Sequence, residues 1–465
     1  MRKKNKLVSI VVMALNLLFL TACEKSDSST QPSTDTTLST DNNQPSTNLV
    51  YNGNFEEGTG NPAGWTTKNQ FLNDVTGWDT EVTHNSTHSL KIENIGGTDA
   101  YWQGQPIELK EPANYLDISF WSKTSDIKLP ANGRYGIILE TYSFNSEGKE
   151  VKQSVEVKIP LKDSDWSETK TRFVTLNNIS KIVPYFYFSG ILGNAWFDSL
   201  AVHSKSLNLK EGKRIFDSNS DNSFPKDIAF DSVSNSEKVY RVINSTPVYS
   251  SDFISVNEDA IYSVSGDFKT DGKPVRLLFG LACFNKDKKL IHPNNVNAIP
   301  GTDTILVKPC YKEDNSIYIE NASNWIAKPN WPVDVVAFNV SKDLKDLPNY
   351  NISSPGINAV EKINDNCWKI SLKNKVGKDY PEGTPVREHT SGYLGPFGGA
   401  FNQSLSDNWN KIEGIIAEKL FSNQWKLYSG TKYVKILIIS NPEKPEDKTN
   451  VYYFKNIELN EINIK

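Results

Sequence analysis

The residues of this chain best placed for molecular recognition are aromatic side chains standing among polar ones. Over residues 116–121, Leu116, Ile118 and Phe120 alternate with Asp117, Ser119 and Trp121. In a strand this spacing sends the apolar set to one face and leaves Trp121 with the polar residues on the other. By the same parity Tyr185 and Tyr187 point away from Phe186 and Phe188, and could join Trp121 on one surface. A flat ring flanked by hydroxyl, amide or carboxylate groups suits a sugar, whose pyranose ring offers an apolar C–H face and a rim of hydroxyls. Trp65, Trp78 and Trp102 fall near expected turns or strand starts, where a loop-edge site would draw its platforms. The alternative is that these rings cover the second sheet of a sandwich, since both sheets need an inner face.

Further along, Trp325 and Trp331 bracket a loop at 326–330, and residues 387–393 bring together Arg387, His389 and Tyr393. An Arg fork can donate two parallel hydrogen bonds to a uronate carboxylate, which makes an acidic glycan a candidate ligand. The more ordinary expectation for Arg387 is a structural salt bridge near Glu388. Catalysis is the competing class. Glycoside hydrolysis needs two facing carboxylates, and 55 acidic residues supply so many pairs that their presence decides nothing. A lyase could use His389 or Tyr393 as a base beside Arg387. No nucleophile elbow, HExxH helix or phosphate-cradling glycine loop occurs.

These side chains need rigid sheets to hold them. Short alternating runs broken by Gly, Pro, Asn and Asp predict antiparallel strands almost throughout, hence an all-β chain. The most helical stretch is 409–420, WNKIEGIIAEKL. A first β-sandwich is expected over 49–205 and a second, larger one over 206–465, both closing on an aromatic-rich strand.

The N-terminus carries Arg2, Lys3, Lys4 and Lys6, then an apolar run over 7–20, then Leu20-Thr21-Ala22-Cys23. A basic head, a short apolar run and small residues predict a signal peptide over 1–22. The run is shorter than the roughly 20 residues that span a bilayer. Residues 20–23 resemble the lipobox of bacterial lipoproteins, which implies cleavage before Cys23, its acylation and a place in the bacterial cell envelope. Residues 24–48 contain one aliphatic side chain, Leu38, and no aromatic, so they predict a disordered tether. A net charge of -4 and the lack of a Lys/Arg block beyond the leader argue against a nucleic-acid partner. Besides Cys23 there are Cys283, Cys310 and Cys367. One disulfide is expected at most, with Cys283 to Cys310 the first choice and buried free thiols the alternative.

The segments Leu49-Val50-Tyr51-Asn52-Gly53-Asn54-Phe55-Glu56, Gly64-Trp65, His88-Ser89-Leu90-Lys91-Ile92, Ile118-Ser119-Phe120-Trp121 and Ala195-Trp196-Phe197-Asp198 together resemble the jelly-roll carbohydrate-binding modules attached to bacterial cellulases and xylanases. The resemblance spans the first domain. In the second, Tyr262-Ser263-Val264-Ser265-Gly266-Asp267-Phe268 looks like the same broad superfamily, and residues 383–393 are loosely similar to other sugar-binding jelly rolls. It implies tandem galactose-binding-like sandwiches, glycan contact on a concave face or loop edge, and a structural calcium held by Glu56, Asp198 and backbone carbonyls. The function expected is non-catalytic capture of a polysaccharide or oligosaccharide at the cell surface, beside glycan-degrading or transport proteins. The alternatives are a lyase or hydrolase built on the second domain, and a structural or adhesive surface protein.

Overall fold

The computed structural model describes residues 48–462, apart from 70–74, 96–98, 129–134, 145–147, 160–162, 210–211, 227, 235–236, 244–246, 328–332, 354–355, 418–424 and 443–449. The leader, Cys23, the tether up to residue 47, and Trp331 lie outside the described residues. The chain is all-β, in two sandwiches; among the described residues the one helix is the single turn Pro293–Val296.

In the first sandwich one sheet runs Val75–Asp79, Ser89–Asn94, Leu192–Lys205, Ile107–Lys128 and the first half of Ser164–Phe188. The other runs Trp65–Asn69, Ala100–Gly104, the second half of Ser164–Phe188, Tyr135–Phe144 and Glu150–Val157. The long Ser164–Phe188 strand therefore turns the corner between sheets, as jelly rolls do. Ile92, Leu116, Phe120, Ile137, Leu139, Phe186, Phe188 and Phe197 fill the space between them. Trp65 and Trp102, expected as sugar platforms, belong to this core. Trp102 is fully buried with its indole N–H on the Lys91 carbonyl at 3.0 Å, and Trp65 donates to the Asn52 carbonyl at 3.2 Å. The physical reason is parity: Trp102 pairs with the core residue Phe186, so its neighbours Tyr101 and Gln103 face outward instead.

The second sandwich repeats this strand order. Ala229–Ser234, Glu237–Ile243, Val451–Ile462, Ile261–Thr270 and Asn410–Ile416 form one sheet, and Val248–Tyr249, Tyr433–Pro442, Val275–Phe284 and Ala400–Leu405 the other. Asn410–Ile416 is thus a strand paired with Ile261–Thr270, correcting the helical expectation for 409–420. Ile412, Gly414 and Ile416 alternate inward, and burial across a sheet outweighs the local helical pattern.

Where the first sandwich closes Tyr135–Phe144 onto Glu150–Val157 as a hairpin, the second departs after Phe284 and returns only at Ala400. Residues between build a lobe of two three-stranded sheets, one with Pro385–Thr390 at its centre between Thr304–Ile305 and Asp334–Phe338, the other with Cys367–Leu372 between Ser316–Ile319 and Ile357–Asn364. Leu306, Ile317, Ile319, Trp325, Val336, Phe338, Ile370, Tyr380 and Val386 give it a separate core. Cys283 lies in the sandwich core and Cys310 in that of the lobe, and both thiols are free. The expected disulfide is therefore corrected: the two cysteines belong to different cores. Burial pushes the Cys283 thiol up to about 11, the behaviour of an inert core residue.

The two sandwiches share a joint. Tyr115, Val174 and Leu207 pack with Ile261, Ala417 and Ile462, the Asn114 side chain exchanges two hydrogen bonds with the Leu207 backbone at 2.9 and 2.7 Å, and the Arg172 guanidinium donates to the Asp259 carbonyl.

Candidate functional site

The outward residues of the second sheet of the first sandwich converge on one surface. Tyr101 pairs with Tyr187 and Gln103 with Tyr185 across neighbouring strands. On the next strand Gly136 and Ile138 stand opposite Tyr187 and Tyr185, followed on the same face by Glu140 and Tyr142. The Tyr101 ring lies 4.8 Å from that of Tyr187 and 5.8 Å from that of Tyr185, and the latter two are 5.6 Å apart. Gly136 has φ +106° and an added Cβ would meet the Val157 carbonyl oxygen at 2.2 Å, so this strand puts no side chain beside Tyr187.

Glu140 organises the polar part of the face. Its carboxylate accepts hydrogen bonds from the Tyr142 and Tyr185 hydroxyls, both at 3.2 Å, and pairs with the Lys152 ammonium at 2.6 Å. Burial and then the Glu140 charge push the Tyr185 phenol above its usual range, while the Glu140 hydrogen bond raises Lys152. A phenol that donates inward to Glu140 turns its lone pairs outward. The face is then an array of rings with acceptor oxygens, bordered by Lys181 at 4.0 Å over the Tyr142 ring. Such a surface can stack on C–H faces and accept from hydroxyls. Sequence parity identified Tyr185 and Tyr187 but missed Tyr101, Glu140 and Tyr142. The signal available was the alternation Tyr101-Trp102-Gln103 around a buried tryptophan.

Trp121 faces outward from the other sheet, so it does not join Tyr185 and Tyr187. It pairs with Glu168, in the first half of the strand whose second half carries the tyrosines. It is half-buried, with the His84 ring stacked on it at 3.7 Å and Trp166 5.5 Å from His84. Trp78 stacks on His88 at 4.0 Å and donates to the Phe55 carbonyl at 2.7 Å. Both rings are thus committed to the loop before Ser89–Asn94.

That loop is held by the two carboxylates expected at a calcium. Glu56 accepts from the backbone N–H of Thr87 at 3.1 Å and of His88 at 2.8 Å, and from the Thr87 hydroxyl. Asp198, fully buried, accepts from the His84 N–H at 3.0 Å and from the Ser86 and Ser199 hydroxyls at 2.8 and 3.0 Å. Burial raises the Asp198 carboxyl. Among the described residues no Lys or Arg pairs with either carboxylate, and His88 is the basic group that approaches Glu56, at 3.5 Å. Carboxylate and hydroxyl oxygens without a countercharge are donors of the kind a hard cation takes, although no group of three or more His, Cys, Asp or Glu occurs among the described residues.

In the lobe the expected binding residues are mostly internal. Arg387 is buried, donating from Nη2 to Asp346 at 2.9 Å, from Nη1 to the Ser341 carbonyl at 3.1 Å and to Asp303 at 3.4 Å, and from Nε to His389 Nε2 at 3.1 Å. His389 is buried with Nδ1 2.8 Å from the Asn294 carbonyl, and Trp325 is a core residue bonded to the Thr302 carbonyl at 2.9 Å. Expectations that these three meet a glycan at the surface are corrected: the strand Pro385–Thr390 buries Arg387, Glu388 and His389 in succession, and Arg387 and His389 find their partners inside the lobe. Tyr393 is exposed, its ring edge-on to Phe401 at 4.6 Å and Trp425 at 5.9 Å.

No family model matches the chain, and none of the curated proteins matches it. Among solved structures it is similar to the N-terminal CBM22-1-CBM22-2 tandem domain of Paenibacillus barcinonensis Xyn10C, at 10% identity over 90% of this chain and 99% of that one, TM-score 0.25. It is also similar to a Family 16 Carbohydrate Binding Module-2, at 18% identity over 34% of this chain and all of that one, TM-score 0.24. The enzymatically active domain of bacteriophage CBA120 tailspike protein 4 is similar at 17% identity over 34% of this chain, TM-score 0.26, and this chain spans 21% of that one. All three likenesses are distant, and the fold of the chain rests on its own strand order.

Proposed function

We propose that the first sandwich captures a polysaccharide on its tyrosine face without cleaving it, in a protein tethered to the bacterial envelope through Cys23. The observation that carries this reading is the cluster of Tyr101, Tyr185 and Tyr187 with Glu140 between Tyr142, Tyr185 and Lys152. Rings in such a group stack on the apolar faces of sugar units, and the outward phenol oxygens accept from their hydroxyls. Glu140 and the flanking lysines leave the face without a strong charge of one sign, which favours a neutral glycan over a uronate polymer. Affinity electrophoresis of the folded chain in gels containing neutral or acidic polysaccharides tests it: retardation by a neutral glycan, lost in Tyr187→Ala, is expected. Equal migration in every gel, or release of reducing ends or unsaturated uronates from the polymer, would remove the non-catalytic capture reading.

Within the same domain Glu56 and Asp198 would hold a calcium with nearby hydroxyl and carbonyl oxygens. The ion would tie the loop before Ser89–Asn94 to the last strand of the sandwich. Calcium added after chelation would then raise the melting temperature of the whole chain.

A further inference from the structure

The repeated strand order lets the two sandwiches be compared residue by residue at one corner. Phe197 pairs with Leu90 in the first sandwich, as Phe454 pairs with Tyr240 in the second. The next residues, Asp198 and Lys455, occupy the same bulge: Asp198 stands opposite Trp121 after a register shift from Ser119, and Lys455 opposite Asp267 after a shift from Ser265. Ser199 and Asn456 follow, both in the left-handed region at φ 53° and 52°. A turn near the start of each domain is tied to the residue after that, with Leu200 donating to the Gly53 carbonyl at 2.8 Å and Ser218 donating to the Ile457 carbonyl at 2.9 Å. The corner is therefore one structure built twice, in which Asp198 corresponds to Lys455, Glu56 to Asp221, Thr87 to Glu237 and His88 to Lys238.

Its electrostatics differ between the copies. In the first, Glu56 meets backbone N–H groups, the Thr87 hydroxyl and, at 3.5 Å, the His88 ring, the counterpart of Lys238, while Asp198 meets only N–H and hydroxyl donors, so the copies differ chiefly at Asp198 and Lys455. In the second, the Lys455 ammonium lies 2.8 Å from Glu237 and the Lys238 ammonium 3.1 Å from Asp221. Lys455, by hydrogen bond and by charge, holds the Glu237 carboxyl below its usual range. Asn456 completes the knot, donating to Asp267 at 2.9 Å while its carbonyl oxygen accepts from Asn219 at 3.2 Å.

We infer that the side-chain ammonium of Lys455 does in the second sandwich what a divalent cation does in the first, so that one domain is metal-dependent and its neighbour carries its own cation. This rests on the calcium reading of Glu56 and Asp198, and extends it to a corner that takes no metal. A fixed ammonium neutralises the carboxylates at any calcium concentration, whereas an ion stabilises only in proportion to its occupancy.

Calcium titration of the chelated full chain by calorimetry, with melting followed in parallel, separates the two statements. The wild type should bind one calcium, and Lys455→Asp should bind a second one and gain more in melting temperature from calcium than the wild type does. Lys455→Met, which removes the cation and adds no ligand, should melt lower with no recovery on adding calcium. A folded Lys455→Asp chain with the same stoichiometry as wild type, or a wild type with two sites, overturns the inference. A wild type with no site beside a Lys455→Asp chain with one would remove the calcium of the first sandwich and leave the role of Lys455 standing. The reciprocal double change Thr87→Glu with Asp198→Lys keeps the test open if Lys455→Asp does not fold. It should abolish calcium binding and melt in chelator near the calcium-loaded wild type, and a chain unstable with or without calcium counts against the exchange.

Discussion

Acid should weaken the lobe through His389. Arg387 Nε donates to His389 Nε2, which places the imidazole proton on Nδ1, facing the Asn294 carbonyl. Protonating Nε2 would set two donors against each other in a buried site, and burial with the Arg387 charge lowers the imidazole to about 4. The unfolded chain would titrate at about 6.5. The folded value is the lower one, so the contribution is complete above the unfolded value and is lost as pH falls from about 6.5 to about 4. A difference of that size corresponds to roughly 3 kcal/mol, accruing at up to about 1.4 kcal/mol per pH unit. Half-buried His292, also lowered by its partial burial, adds to the slope in the same window, whereas Asp346, held low although burial opposes it, by hydrogen bonds from Asn349 and Ser341 and by Arg387, gives way only at lower pH. Urea unfolding at pH 7.5, 6.5, 5.5 and 5.0 reads the slope, and His389→Gln provides the control, because its amide can accept from Arg387 and donate to Asn294 without titrating. Wild type should lose about one proton's worth of slope more than the variant. Parallel curves, or an NMR titration of His389 near the ordinary imidazole value, would refute the argument.

Tyr187→Ala should weaken glycan retardation about fivefold, the equivalent of about 1 kcal/mol of ring contact, with a melting curve close to wild type. Trp102→Ala should cost about 3–5 kcal/mol in urea unfolding, because Trp102 is core, and a mild effect would return it to the list of platforms. Arg387→Ala should destabilise by about 3–5 kcal/mol, since it leaves Asp346 partly buried beside an empty place, while Arg387→Lys should recover only part of the loss. Trp121→Ala should leave retardation unchanged if the tyrosine face alone binds, and a loss as large as that of Tyr187→Ala would move the site to the His84 side.

Much of this was legible where strands alternate cleanly. The outward direction of Tyr185 and Tyr187 follows from Phe186 and Phe188 without any coordinates, and so does the all-β class. Which sheet each ring belongs to does not follow, because Ser164–Phe188 serves both sheets and parity is silent about the corner between them; hence Trp121 and the tyrosines part company. Residues 409–420 fit both a helical and a strand period at Ile412 and Ile416, and the pairing with Ile261–Thr270 decides between them. The lobe was hidden for a different reason. Its strands are short and its central one, Pro385–Thr390, buries Val386, Arg387, Glu388 and His389 in succession, so no alternation marks it. A row of charges reads as surface until the partners Asp303 and Asp346, distant in sequence, are in place.

The apolar joint at Tyr115, Val174, Leu207, Ile261, Ala417 and Ile462 has a mechanical consequence. Asn114 clasps Leu207 and Arg172 reaches Asp259, so polar contacts reinforce the apolar seam. Load applied to one sandwich would pass through this seam to the other, so the two would turn together rather than hinge apart.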